Sequence, residues 1–171
     1  MRRALVFFLF GFWMFALWPA PTARAQEEAR SPDATPAGSF CEQFQVITNA
    51  APLSFKPLRG KLEFIDEWKG QQALAGTRNC IAFGRRGDAS YMCSTAVVQG
   101  ADRVQELFNT LKAQVQKCLG SGWAVNDYSS RRGDQSIEFW KDNAAYEVHV
   151  AVKSVTGSED KAEVKVIVSR P

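Results

Sequence analysis

One histidine, His149, stands in 171 residues, and that scarcity removes most imidazole-based chemistry. Nucleophilic catalysis usually needs a base beside a serine or cysteine, and no motif ties a nucleophile to His149. The four cysteines form no C-x-x-C pair and lie far from the histidine in sequence, which excludes the usual zinc spacings. No glycine-rich loop matches a nucleotide-binding pattern; the glycines fall at turns and helix ends. No cofactor, metal or catalytic set is therefore expected.

A surplus of positive charge is also missing from the part expected to fold. The whole chain carries 21 Lys+Arg against 18 Asp+Glu. Three of the arginines, Arg2, Arg3 and Arg24, lie in an N-terminal segment with the layout of a secretory signal. Met1-Arg2-Arg3 precedes the apolar run Ala4 to Leu17, and the small-residue triplet Ala23-Arg24-Ala25 follows Pro19 and Pro21. The run is shorter than the roughly 20 apolar residues of a spanning helix. Residues 1–25 are therefore read as a cleavable signal peptide, with no stable membrane anchor left after cleavage. The remainder carries 18 basic and 18 acidic residues. Such a neutral chain lacks the basic surface that releases counterions from phosphates, so no nucleic-acid partner is expected.

Residues 26–39 read QEEARSPDATPAGS, without a large apolar side chain, and are expected to form a flexible leader. Residues 40–171 then make one domain long enough to bury a core. An even cysteine count in an exported chain predicts two disulfides among Cys41, Cys80, Cys93 and Cys118, with three connectivities open. Cys80 and Cys93 flank a turn almost symmetrically and could face each other across a hairpin. Cys118, at the end of a helix that closely follows the Cys93 strand, could instead fold back onto it. The arrangement favoured from sequence is Cys93–Cys118 with Cys41–Cys80.

Periodicity supplies the elements. Ser39 with Glu42 fits a capping box, and Phe40, Phe44 and Ile47 share a helical face that ends before Pro52. Leu62, Phe64 and Trp68 alternate with charged residues and read as one strand, with Ile65 and Asp66 breaking the pattern. Asn79–Gly84 and Ala89–Val98 follow as strands around an Arg85-Arg86-Gly87-Asp88 turn. Val104, Leu107, Phe108, Leu111, Val115, Cys118 and Leu119 step at helical spacing, with Asp102 as candidate N-cap and Gly120 as stop. Four further strands are expected over 123–128, 135–140, 146–153 and 162–168, the first two around a second turn, Arg131-Arg132-Gly133-Asp134. The fold class is α+β: one mostly antiparallel sheet of about six to seven strands, two helices packed on one face, stapled by disulfides.

Few residues in this pattern point to chemistry. The two RGD triplets resemble the integrin-binding tripeptide, but glycine and aspartate are also what a tight hairpin turn requires. Their arginines, Arg85, Arg86, Arg131 and Arg132, are candidate binding residues; if the hairpins point the same way, four guanidinium groups could hold a carboxylate- or phosphate-bearing partner. Trp140 falls opposite Ile137 and Phe139 and is a candidate exposed anchor. His149 shares a strand face with Glu147, which could orient its imidazole. Asp66, Glu67, Glu138 and Glu147 sit near aromatic residues, yet nothing in their spacing fixes two of them as a glycosidase pair.

These features favour an exported, non-catalytic periplasmic or secreted domain whose partner is an envelope or extracellular protein. A cell-wall glycan binder or hydrolase using Trp140 and nearby carboxylates is the alternative. A host-directed secreted factor rests on export and the RGD turns alone.

Overall fold

Ser39 starts the first ordered element for a local reason. Its hydroxyl accepts from the Glu42 backbone N–H at 3.3 Å, and the Glu42 carboxylate accepts from the Ser39 N–H at 2.7 Å, the capping box expected from sequence. These bonds hold the Glu42 carboxyl below its usual range. A computed structural model describes residues 38–84, 88–128, 135–154 and 161–170; the signal-peptide reading, nearly all of the leader and residues 85–87 and 131–134 of the two arginine turns lie outside them.

Chain order is α1 (Phe40–Ala50), two 3-10 turns (Ala51–Leu53 and Lys56–Leu58), β1 (Arg59–Phe64), β2 (Glu67–Gly70), β3 (Asn79–Gly84), β4 (Ala89–Ser94), β5 (Val98–Gln99), α2 (Ala101–Leu119), β6 (Ala124–Asp127), β7 (Ser136–Trp140), β8 (Glu147–Ser154) and β9 (Lys161–Ser169). The nine strands of the described residues form one antiparallel sheet in the order β1-β2-β3-β4-β9-β8-β7-β6, with the two-residue β5 paired to β9. The strand count exceeds the expectation for two reasons. Ile65 and Asp66 are a turn that divides the supposed 62–68 strand into β1 and β2, with Asp66 in the left-handed region at φ 61°. The supposed 89–98 strand is interrupted after Ser94 and resumes as β5.

Each helix opens a four-stranded meander: α1 leads into β1–β4 and α2 into β6–β9. The meanders meet where β4 pairs with β9. Tyr91, Cys93, Val148, Val150, Val164, Val166 and Val168 point to the helix-covered face and are buried together with Phe40, Phe44 and Ile47 of α1 and Phe108, Leu111 and Val115 of α2. Period-two alternation in β8 and β9 thus meets period-3.6 stripes on the helices, the pattern that closes a sheet-on-helix core. The α2 start departs from expectation. Gly100, at φ 96°, is the N-cap and no side chain caps the helix; Asp102 lies inside the first turn, where its charge still suits the positive helix end. Gly120 ends the helix as expected.

Tyr91 ties the first meander to its loop. Its buried hydroxyl donates to the Gln72 carbonyl at 2.7 Å and accepts from the Gln72 N–H at 3.0 Å. Gly70 must be glycine for this to happen, because a Cβ there would overlap that hydroxyl and lie 2.8 Å from both the Cβ and the carbonyl oxygen of Cys80. Burial pushes the Tyr91 phenol up to about 12.

The disulfide arrangement favoured from sequence is wrong. Cys80 and Cys93 are Cα partners in the β3–β4 register and bond across it, with Cα atoms 4.1 Å apart. Cys41, in the first turn of α1, bonds to Cys118, in the last turn of α2, with Cα atoms 5.2 Å apart. Cys93 faces Cys80 by register and so is closed to Cys118, while the side-by-side packing of the helices brings Cys41 to Cys118. Two disulfides mark an oxidising, exported setting. Among the described residues no helix is long and apolar enough to cross a membrane.

Two outcomes are expected. The α1–α2 bridge closes a 77-residue separation and the β3–β4 bridge one of 13. Chain-entropy scaling gives about 4 and about 3 kcal/mol, so Cys41→Ala/Cys118→Ala loses more stability in urea titration than Cys80→Ala/Cys93→Ala. Tyr91 keeps its proton better in the folded chain than in the unfolded one. Its contribution is therefore complete below pH 10 and is lost as pH rises toward about 12. Tyr91→Phe flattens that alkaline loss and, by orphaning both Gln72 backbone groups, costs about 1–3 kcal/mol at neutral pH.

Candidate functional site

The helices cover one face of the sheet, and no helix among the described residues covers the other. Strand register draws a row across that open face: Lys69, Ile81, Met92, Ile167, His149, Glu138 and Asn126, each the Cα partner of the next. Ile81, Met92 and Ile167 make a half-buried apolar stretch in the middle. The polar, chemistry-bearing groups gather at the β6–β8 end.

Glu138 is the centre of that gathering. Tyr128 donates its hydroxyl to Glu138 Oε2 at 2.7 Å, and Asn126 Nδ2 donates to the same oxygen at 3.3 Å. The other oxygen, Oε1, lies 3.4 Å from His149 Nε2. Glu147, two residues before His149 on β8, projects from the same face, and ligand atoms of Glu138, Glu147 and His149 all lie within 4.8 Å of one another. All three side chains are half-buried. The Tyr128 hydrogen bond, aided by Asn126 and by the positive side of His149, holds the Glu138 carboxyl below its usual range against the opposing effect of burial. Reciprocally, the Tyr128 phenol is raised, first by that hydrogen bond and further by the negative charge of Glu138 and Glu147.

Local sequence explains the arrangement. Ile137 and Phe139 go to the core, which sends Glu138 and Trp140 to the open face. Val148 and Val150 do the same for Glu147 and His149. Tyr128 follows the end of β6, where its N–H bonds to the Ser136 carbonyl at 2.8 Å and sets the phenol above the neighbouring strand.

No protein-family model, curated protein or solved structure matches this chain. The site must therefore be read from its own geometry.

Of the residues singled out from sequence, Glu138, Glu147 and His149 come together. The carboxylate nearest the imidazole is Glu138 on the neighbouring strand, a pairing set by register. Trp140 shares the open face but is half-buried, and its indole N–H is buried without a hydrogen-bond partner among the described residues. Arg85, Arg86, Arg131 and Arg132 lie outside the described residues. Their flanking strands are described, however. Gly84 and Ala89 pair at the sheet end shared with Ser169 and Glu147, whereas Asp127 and Ser136 lie at the end shared with Ala151, Lys165 and Ser94. The strand ends that flank the two arginine segments thus lie at opposite ends of the sheet.

Sequence reasoning missed the β1–β2 hairpin as a surface feature. Leu62 is 56% exposed, Phe64 71% and Ile65 87%, at the outer edge of the sheet. Beside the tip lies a depression of about 320 Å³ lined by Ile65, Asp66, Glu67, Phe83, Gly84, Asp88 and Ser90. The broken alternation at Ile65-Asp66 was the available signal.

The Tyr128–Glu138 contact makes a titration test. Removing the carboxylate in Glu138→Gln lowers the Tyr128 phenol toward its ordinary range, read from its ring-carbon NMR signal against pH. Tyr128→Phe moves the Glu138 carboxyl up in turn, and with it the acid limb of stability. A depressed carboxyl contributes above its unfolded pKa and loses that contribution as pH falls through the folded one.

Proposed function

We propose that this chain is an exported, non-catalytic binding domain acting in the periplasm or outside the cell, and that its partner is another envelope or extracellular protein docking on the β1–β2 hairpin. One observation carries this reading: Phe64 and Ile65 stand 71% and 87% exposed on the outermost hairpin of the sheet. Large apolar side chains held in water by a formed turn mark an interaction surface more often than chance exposure does. The hairpin is not a loose end. Arg59 stacks on the Trp68 ring at 4.0 Å and donates to the Ser54 carbonyl at 3.0 Å, which fixes β1 against β2 and the preceding turn. A preorganised anchor loses little entropy on docking.

The fitting partner offers an apolar pocket for Ile65 and Phe64 and a protruding side chain for the depression beside them. Register irregularities on either side of Leu62 interrupt the β1 ladder, which disfavours continuous strand addition and favours side-chain docking. The N-terminal export pattern and the disulfides support an encounter outside the cytoplasm.

Phe64→Ser/Ile65→Ser removes only exposed surface and leaves folding intact, checked by circular dichroism. Capture from crosslinked native envelope brings down one stoichiometric protein with the natural sequence and loses it with the double variant. Equal capture by both overturns the hairpin as the docking surface. Retention on purified cell wall, with no protein partner, transfers the reading to the glycan alternative.

A further inference from the structure

We propose that Glu138, Glu147 and His149 form a binding site for a first-row divalent metal ion of the zinc type, with its open coordination position facing away from the sheet. The three side chains come from adjacent strands in fixed register. Glu138 and His149 are directly opposed Cα partners, and Glu147 is the next residue on the same face of β8. This is one imidazole nitrogen and two carboxylate oxygens, a borderline-hard donor set suited to zinc and its neighbours.

His149 Nε2 and Glu138 Oε1 lie 3.4 Å apart. A charge-assisted hydrogen bond between an imidazolium and a carboxylate closes to about 2.7–2.9 Å. Two donors bound to one tetrahedral zinc, at about 2.0–2.1 Å each, stand roughly 3.3–3.4 Å apart. The spacing accommodates two ligands of one ion, as it also does a long ion pair. Glu147 offers a carboxylate oxygen within 4.8 Å of the ligand atoms of both.

The surroundings prepare the site. Tyr128 and Asn126 both donate to Oε2 of Glu138, which fixes the carboxylate plane and leaves Oε1 for the ion. Such hydrogen bonds to a ligating carboxylate orient it and tune metal affinity. His149 is 30% exposed and Glu138 15%, so the ion is reachable from solvent without opening the fold. Three protein ligands leave a fourth position for water or for a donor from a docked molecule.

The test uses the oxidised protein, stripped of metal by chelator and titrated with zinc ions in a calorimeter. One equivalent binds. His149→Gln and Glu147→Gln each weaken binding at least tenfold, Tyr128→Phe weakens it about tenfold, and Glu106→Gln on the exposed face of α2 leaves it unchanged. A second readout needs no variant. His149 is the only histidine, so its two ring nitrogens give unambiguous NMR signals, and zinc shifts the Nε2 signal far more than the Nδ1 signal. Absence of one-to-one binding at tens of micromolar zinc overturns the proposal. So does binding that leaves the Nε2 signal in place.

Discussion

The antiparallel pairing of β4 with β9 is the contact on which the rest of the sheet depends. It joins two halves that are each a helix followed by a four-stranded meander. Within it, Tyr91 faces Val168 and Cys93 faces Val166, and all four are buried under the helices. Every other long ladder is local, a hairpin or the next strand of a meander. This one links residues some three-quarters of a hundred positions apart, and the Cys41–Cys118 bridge spans the same two halves on the helix side. A chain held this way pays a large loop-closure entropy at one place, and a covalent clamp between the halves is where a disulfide stabilises most.

Elements whose apolar residues keep a strict period were legible in the sequence. The α2 stripe and the alternation of β8 and β9 are set by burial of valine, leucine and phenylalanine, and period alone reports burial. Ser39 and Glu42 announced the start of α1 because a capping box is chemistry between neighbours. Legibility failed where the cause was not apolar burial. The β1–β2 turn is made by Asp66 in a left-handed conformation, with no glycine or proline to mark it. The α2 N-cap is a glycine acting through backbone freedom, and the nearby Asp102 drew attention from it. Disulfide pairing depends on which helix ends meet, and sequence proximity of Cys93 to Cys118 misled because β3 had already claimed the Cys93 side chain.

The candidate site was half legible for the same reason. Strand alternation puts Glu147 with His149 on one face and Glu138 with Trp140 on another strand's outward face. It cannot set the register between β7 and β8, and that register alone opposes Glu138 to His149. Tyr128 and Asn126 were invisible as partners because they reach Glu138 through a third strand. The helix-then-meander topology repeats in the two halves. The two arginine segments fall between β3 and β4 and between β6 and β7, which are not equivalent connections in the two meanders. The repeat is architectural.

The position of the two surface features separates their roles. The exposed hairpin lies on the β1 edge and the Glu138–Glu147–His149 cluster toward the β6 edge, with β3, β4 and β9 between β2 and β8. At about 4.8 Å per strand, that places them roughly 20 Å apart across the sheet. Groups so distant and without shared partners act additively. Substituting the hairpin therefore leaves the carboxylate–imidazole cluster intact, and altering the cluster leaves the apolar anchor in place. A partner narrower than that distance would reach only one of them. Contact with both would require a partner broad enough to lie across Ile81, Met92 and Ile167, the half-buried apolar stretch between them.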